Sequence, residues 1–202
     1  MKYIDLSVTI NNQTPVYPGD PQTKIAKAGV LSRDGYQDHY ISVGSHAGTH
    51  IDAPSHMVKH GKNIDQFALE NFVGNGVCIR INQKFILDEV KNYQIYKNDF
   101  VLFSTGMTKK YYQKAYYKSY PAMPVEVASY LVDKKIKGVG VDMCSVDYEP
   151  FNSHKILLNA GVFIIENMTN LDKLHNKKFK LYAWPLKLDI DGSPIRAVAE
   201  LI

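Results

Sequence analysis

SHAGTHIDAPSHMVKH, residues 45–60, sets His46, His50, Asp52 and His56 at even-numbered positions only. Side chains of an extended chain alternate between its faces, so this parity predicts four polar groups on one face of strand-like backbone. A helix would rotate Asp52 away from His46 and His50, and Gly48 and Pro54 both oppose a helical interior. The small residues Ala47, Gly48 and Ala53 leave room for a ligand or a second backbone to come close. Neutral imidazole and carboxylate in one cluster suit zinc, manganese or iron. Histidines gathered on a solvated loop are the bland alternative.

Ahead of this stretch, Tyr3–Ile10 alternates with Ile4, Leu6, Val8 and Ile10 in phase, the pattern of a strand. Residues 11–20, NNQTPVYPGD, call for a turn at Pro18-Gly19-Asp20. Residues 23–30 and 38–44 read as two more strands, the second running straight into the histidines; His39 lies in it without an assigned role. Beyond, GKNID and FALENFVGNG read as a loop with a short helical turn, with His60 and Lys62 near the mouth of the site, and lead to a buried strand at Val77–Ile81. A helix at Ile86–Tyr93, an apolar strand at Phe100–Phe103, a helix over Pro124–Lys134 and a buried strand at Gly138–Val141 follow.

Asn152 or Ser153 can cap a helix running to about Ala160, which places His154 in its first turn. There the positive end of the helix dipole favours a neutral ring, able to bind a metal. Gly161–Glu166, GVFIIE, reads as a strand buried on both faces that ends in a carboxylate. A carboxylate there needs a cation, a lysine or a metal, unless it simply emerges at the strand end. Strands at Lys178–Trp184 and Ile195–Ile202 bracket a turn at Asp189–Pro194. Strands and helices thus alternate without strict βαβ regularity. The expected fold is one α/β domain, residues 1–202, with a mixed, partly barrel-like central sheet flanked by helices.

With 202 residues, 45% hydrophobic and 22% charged, the chain is ordinary for a soluble globular domain. Its net charge of +4 comes from dispersed lysines rather than an arginine-rich block, which argues against nucleic acid. YYQKAYYKSY, residues 111–120, interleaves tyrosine and lysine as a stacking platform would, but a segment covering the pocket or a subunit contact is the preferred reading. Cys78 and Cys144 have no partner at metal-ligand spacing and read as two buried free thiols of a cytoplasmic protein. No signal core or membrane-length apolar run is present in the sequence.

His46-x-Gly48-Thr49-His50-x-Asp52-x-Pro54-x-His56 resembles the signature of the cyclase family of metal-dependent hydrolases, which includes bacterial kynurenine formamidases and isatin hydrolase. The likeness continues through Gly61–Gly74 and the Asp142–Asp147 segment, where Met143-Cys144 replaces the family's usual Thr-Pro. The resemblance implies a fold of the swivelling β/β/α type and two divalent cations, zinc first and manganese second. His46 and His50 would hold one ion and His154 the other, with Asp52 and Glu166 bridging them. His154 and Glu166 keep the family's twelve-residue interval. It further implies that His56 is catalytic and that Tyr17, where the family commonly has Trp, lines the substrate pocket. The implied reaction is hydrolysis of a non-peptide amide, an aryl formamide such as N-formylkynurenine or a cyclic amide such as isatin, in a homodimer or larger assembly. A catalytically silent metal-binding protein is the rival from another class.

Overall fold

The computed structural model describes residues 2–202. In chain order the elements are β1 (Lys2–Asp5), β2 (Lys24–Gly29), α1 (Leu31–Asp34), β3 (Asp38–Ser42), β4 (His50–Asp52), β5 (Val73–Arg80), α2 (Leu87–Lys91) and β6 (Phe100–Ser104). They continue with α3 (Val125–Asp133), β7 (Gly138–Val141), α4 (Asn152–Asn159), β8 (Phe163–Glu166), β9 (Phe179–Tyr182), β10 (Gly192–Pro194) and β11 (Val198–Leu201). Nine strands form one sheet in the order β1-β11-β9-β5-β6-β7-β8-β4-β10, curled into a half-barrel, while β2 and β3 make a separate hairpin. The expected α/β fold with a mixed, partly barrel-like sheet is what the chain adopts.

The centre of the sheet, β5-β6-β7-β8, is parallel, and its flanks are antiparallel. Parallel strands are covered on both faces and are apolar at every position. FVLFS of β6 is buried throughout, and its side chains alternate between two cores. Val101 and Phe103 face Val127, Leu131 and Leu157 from α3 and α4. Phe100 and Leu102 face Phe163, Ile165, Phe179 and Leu181. Gly140 on β7 is where the two layers close up, because a Cβ there would lie 2.4 Å from Leu102 and 2.6 Å from the Met168 sulfur.

Several boundaries differ from the sequence expectation. The first strand ends at Asp5, short of Ile10, because its partner changes. Leu6 still donates its N–H to the Ala197 carbonyl, but its own carbonyl accepts from Thr169, and Val8 N–H goes to Thr49 Oγ1. Ile4 and Leu6 are buried and Val8 and Ile10 half-buried as the chain crosses to the other end of the sheet. The expected turn at Asp189–Pro194 contains a strand: β10 pairs with β4, Gly192 opposite Asp52 and Pro194 opposite His50. The residue ahead of α4 is Phe151, in a left-handed conformation (φ 59°), not Asn152 or Ser153. Ser153 is taken up otherwise, with its N–H bonded to Asp147 and its hydroxyl to the Met123 carbonyl.

The tyrosine segment covers the pocket in part, since Tyr117 lines the cavity described below. Tyr111, Tyr116 and Tyr120 are core residues, and Tyr112 is exposed. Cys78 and Cys144 are buried free thiols, as read from the sequence. Among the described residues no helix is long and apolar enough to cross a membrane.

Candidate metal centre and active site

The motif does not run as one extended segment. Only His50–Asp52 is strand. His46 lies in a turn closed by Ala47 N–H to the Gly44 carbonyl, Gly48 is left-handed (φ 66°), and Pro54 opens a single 3-10 turn that ends on His56. Turns therefore gather the four side chains, and even parity accounts only for His50 and Asp52. Gly61 holds the 3-10 turn from below, since a Cβ on it would meet the Pro54 carbonyl carbon at 2.5 Å and the Ser55 nitrogen at 2.6 Å. Both are backbone atoms that cannot swing aside. Gly61→Ala is expected to destabilise the chain by about 1–3 kcal/mol, read as a lower urea midpoint at unchanged m-value; an unchanged midpoint would contradict this packing.

Two distant segments meet this cluster. β4 pairs antiparallel with β8 so that His50 lies directly opposite Glu166. His50 Nε2 is 3.5 Å from Glu166 Oε2 and 3.4 Å from Asp52 Oδ1, and His154 Nε2 is 3.2 Å from Glu166 Oε1. Among the described residues no lysine pairs with Glu166; its other partner is the Val146 N–H at 3.2 Å. Each imidazole is oriented from its far side. His50 Nδ1 donates to the Gly48 carbonyl at 2.9 Å, and His154 Nδ1 to Asp147 at 2.5 Å. Such outer hydrogen bonds fix the tautomer, so that Nε2 faces the centre.

His46 bonds Asp52 through Nδ1 at 2.7 Å and Asp191 through Nε2 at 2.8 Å. His56 also donates Nδ1–H to Asp191, at 3.1 Å, and its ring lies 4.0 Å from that of His46. Neither Asp191 nor Asp147 stood out in the sequence. Asp191 is 145 residues from His46 and looked like a turn acid beside a turn glycine. The available signal was Gly192, whose Cβ would strike the Ile51 carbonyl oxygen at 2.8 Å and the His46 ring at 3.0 Å. That glycine is required by the site as much as by the turn.

A cation fits this donor set. Asp52 Oδ2 is buried without a hydrogen-bond partner, a cost of about 1–3 kcal/mol for a neutral acceptor and more for a charged one. Ligand atoms of His50, Asp52 and Glu166 lie within 4.8 Å of one another, as do those of His46, Asp52 and His56. Without a cation the histidines supply the positive charge. Burial disfavours protonated His46, but Asp52 and Asp191 outweigh it and raise its pKa to about 10. Burial likewise opposes protonation of His154, yet Asp147 and Glu166 hold it at about 10, which overturns the expectation of a ring kept neutral by the helix terminus. Burial would raise Asp52, but His46 and His50 keep it well below the usual carboxylate range.

The sign of a pH effect follows. Both rings carry a proton at pH 7 that a metal ligand must shed. Titrating zinc into metal-free protein at pH 7, in buffers of different ionisation enthalpy, is expected to release about two protons per chain, with affinity rising as pH rises. Proton-free uptake would show that these rings are not ligands.

A cavity of about 200 Å³ opens over the cluster, lined by His46, His50, His56, His154 and Glu166 and walled by Tyr17, Tyr117 and Phe151. Tyr17 thus stands where expected, edge-on to Tyr117 with centroids 6.1 Å apart. Cys144 also lines it, which its apolar sequence context did not reveal. His60 and Lys62, expected at the mouth, do not line the cavity; Lys62 sits over the Phe67 ring. His39 is on β3, also away from it.

A curled mixed sheet with an imidazole–carboxylate cluster at the β4/β8 pairing defines the class. Residues 4–148 match the family model Cyclase. An uncharacterized protein of Methanocaldococcus jannaschii is 35% identical over 203 residues, covering 100% of both chains. Kynurenine formamidase of Bacillus cereus is 29% identical over 204 residues, covering 98% of this chain and 96% of its own. Among solved structures, an isatin hydrolase bound to the product analogue thioisatinate superposes with a TM-score of 0.89 at 25% identity, covering 100% of this chain and 92% of that one. The chain belongs to the cyclase family of metal-dependent hydrolases.

Proposed function

We propose that this hydrolase cleaves the C–N bond of a non-peptide amide, an aryl formamide of the N-formylkynurenine type first and a cyclic amide of the isatin type second. The convergence of His50, His154 and Glu166 from three separate elements on one buried point supports the reading most directly. Two relatives support the substrate class: one is named kynurenine formamidase, and the other is an isatin hydrolase. His46, His50, Asp52, His154 and Glu166 would hold two divalent cations, zinc first and manganese second. When bound, these supply a Lewis acid for the amide carbonyl and acidify a water from a pKa of 15.7 to about 7.

The remaining chemistry belongs to the chain. His56 is half-buried at the cavity and donates an Nδ1–H hydrogen bond to Asp191, which leaves the Nε2 lone pair free. That atom takes a proton from the attacking water and returns it to the departing nitrogen. Asp191 fixes the ring and its tautomer. Tyr17, Tyr117 and Phe151 form an apolar wall suited to an aryl group. A silent binding protein would have no use for a free Nε2 on His56.

The test is hydrolysis of N-formyl anilines and cyclic amides after chelation, with zinc or manganese restored. Metal-dependent release of formate or ring-opened acid is the expected result, and no turnover of either class would overturn the reading. As part of the proposal the chain works in the cytoplasm as a homodimer. The exposed Tyr36, Tyr40 and Ile41 around the β2–β3 hairpin are consistent with a covered surface, which light scattering checks.

A further inference from the structure

We propose that Asp20 makes this site selective for aromatic amides whose arm, away from the scissile bond, carries a positive charge. The inference rests on the amide-hydrolase reading above and adds the substrate's charge to it.

Asp20 lines the same cavity as the histidine cluster, and among the described residues lining it there is no lysine or arginine. Its position is set by a tight turn: Gly19 is left-handed (φ 104°) and Asp20 N–H returns to the Tyr17 carbonyl at 3.0 Å. The acid is therefore tied to the tyrosine that walls the cavity. Asp20 also borders an adjoining cavity of about 240 Å³ that reaches the outer side of His46. Unlike every carboxylate around the cluster, its side chain makes no hydrogen bond or ion pair within the described residues.

The charge balance gives this lone carboxylate its leverage. Asp52, Glu166, Asp147 and Asp191 are each bonded to a site histidine. Each of those four is taken up by a histidine, whereas Asp20, exposed at the rim of the cavity, is the lining carboxylate left without a partner among the described residues. An ammonium on the substrate's arm would pair with Asp20 and could lie against the faces of Tyr17 and Tyr117. A carboxylate on the same arm would meet like charge with no cation of the chain to receive it, so discrimination has an attractive and a repulsive part. An arm bearing both charges gains less than a purely cationic one.

The test uses three formanilides that differ only in their side arm, aminoethyl, ethyl or carboxyethyl, with the zinc-loaded chain at low salt. We expect kcat/KM for the cationic substrate to exceed that for the anionic one by about tenfold, and the ratio to shrink as salt screens the pair. In Asp20→Asn the ratio falls towards one, and Asp20→Glu restores much of it. A merely structural Asp20 would lower all three substrates together and leave their ratio intact, which would overturn the proposal. Binding of the corresponding unreactive anilines, measured by calorimetry, gives the same ratio without turnover. If no formanilide is hydrolysed yet the aminoethyl aniline binds tighter through Asp20, the amide reading fails and the charge preference stands. If the anilines bind without regard to charge, the preference fails.

Discussion

Glu166→Ala is expected to abolish metal retention and lower turnover by roughly 10³-fold or more, several kcal/mol of lost transition-state stabilisation. Glu166 lies where β4, α4 and β8 meet in the site. One of its oxygens faces His50 and the other faces His154. Burial would raise its pKa, but hydrogen bonds from His154 and His50 keep it lowered and the group ionised. Removing it leaves Asp147 as the one carboxylate paired with His154 and Asp52 as the one paired with His50 among the described residues. Glu166→Gln keeps the volume and one acceptor oxygen, so it separates loss of charge from loss of packing. It is expected to fold with a near-native melting curve and still to lose metal. Full metal content in the Gln variant would remove Glu166 from the centre.

His56→Ala carries the second large expectation, a fall in kcat of about 10²–10⁴-fold with metal content unchanged. Of His46, His50 and His56, only His56 has no ion pair with a proposed carboxylate ligand among the described residues; its carboxylate partner is Asp191. The structure also brings it within ligand reach of Asp52 together with His46. Metal analysis of the variant therefore decides between the two roles. Loss of an ion together with turnover would make His56 a ligand, and full turnover would leave it without a role. Asp191→Asn acts through the rings of both His56 and His46 and is expected to lower turnover by about 10–100-fold, the usual cost of removing an orienting partner.

How much of this could be read from the chain depends on the range of the interaction. The parity of His50 and Asp52 and the all-apolar run Phe163–Ile165 are local patterns, and each led to the strand that forms. The β4/β8 pairing that sets His50 against Glu166 is not local and was not expected; only the sharing of one metal site by these two residues was, and that came from the family resemblance. His46 and His56 were expected on a strand because parity is blind to turns; the left-handed Gly48 and the 3-10 turn at Pro54 decide their placement instead. β10 escaped notice because Asp191-Gly192-Ser193-Pro194 has the composition of a turn, while its pairing with β4 is set by close approach at Gly192. Asp147 and Asp191 could not be found by spacing. Their partners are histidines that already had a reading of their own, and a carboxylate that bonds the far nitrogen of a histidine leaves no mark on the residues beside it. Tyrosine's mixed character hid the burial of Tyr116, whose hydroxyl is satisfied by Asn167 inside the core.

The central proposal is that residues 46–52 and residues 154–166 together hold two divalent cations at one point. Anomalous diffraction from zinc-loaded crystals tests this directly. Two peaks are predicted per chain, one beside His46 and His50 and one beside His154, with Asp52 and Glu166 reaching both. A cluster empty of anomalous signal in crystals whose zinc lies elsewhere would contradict it.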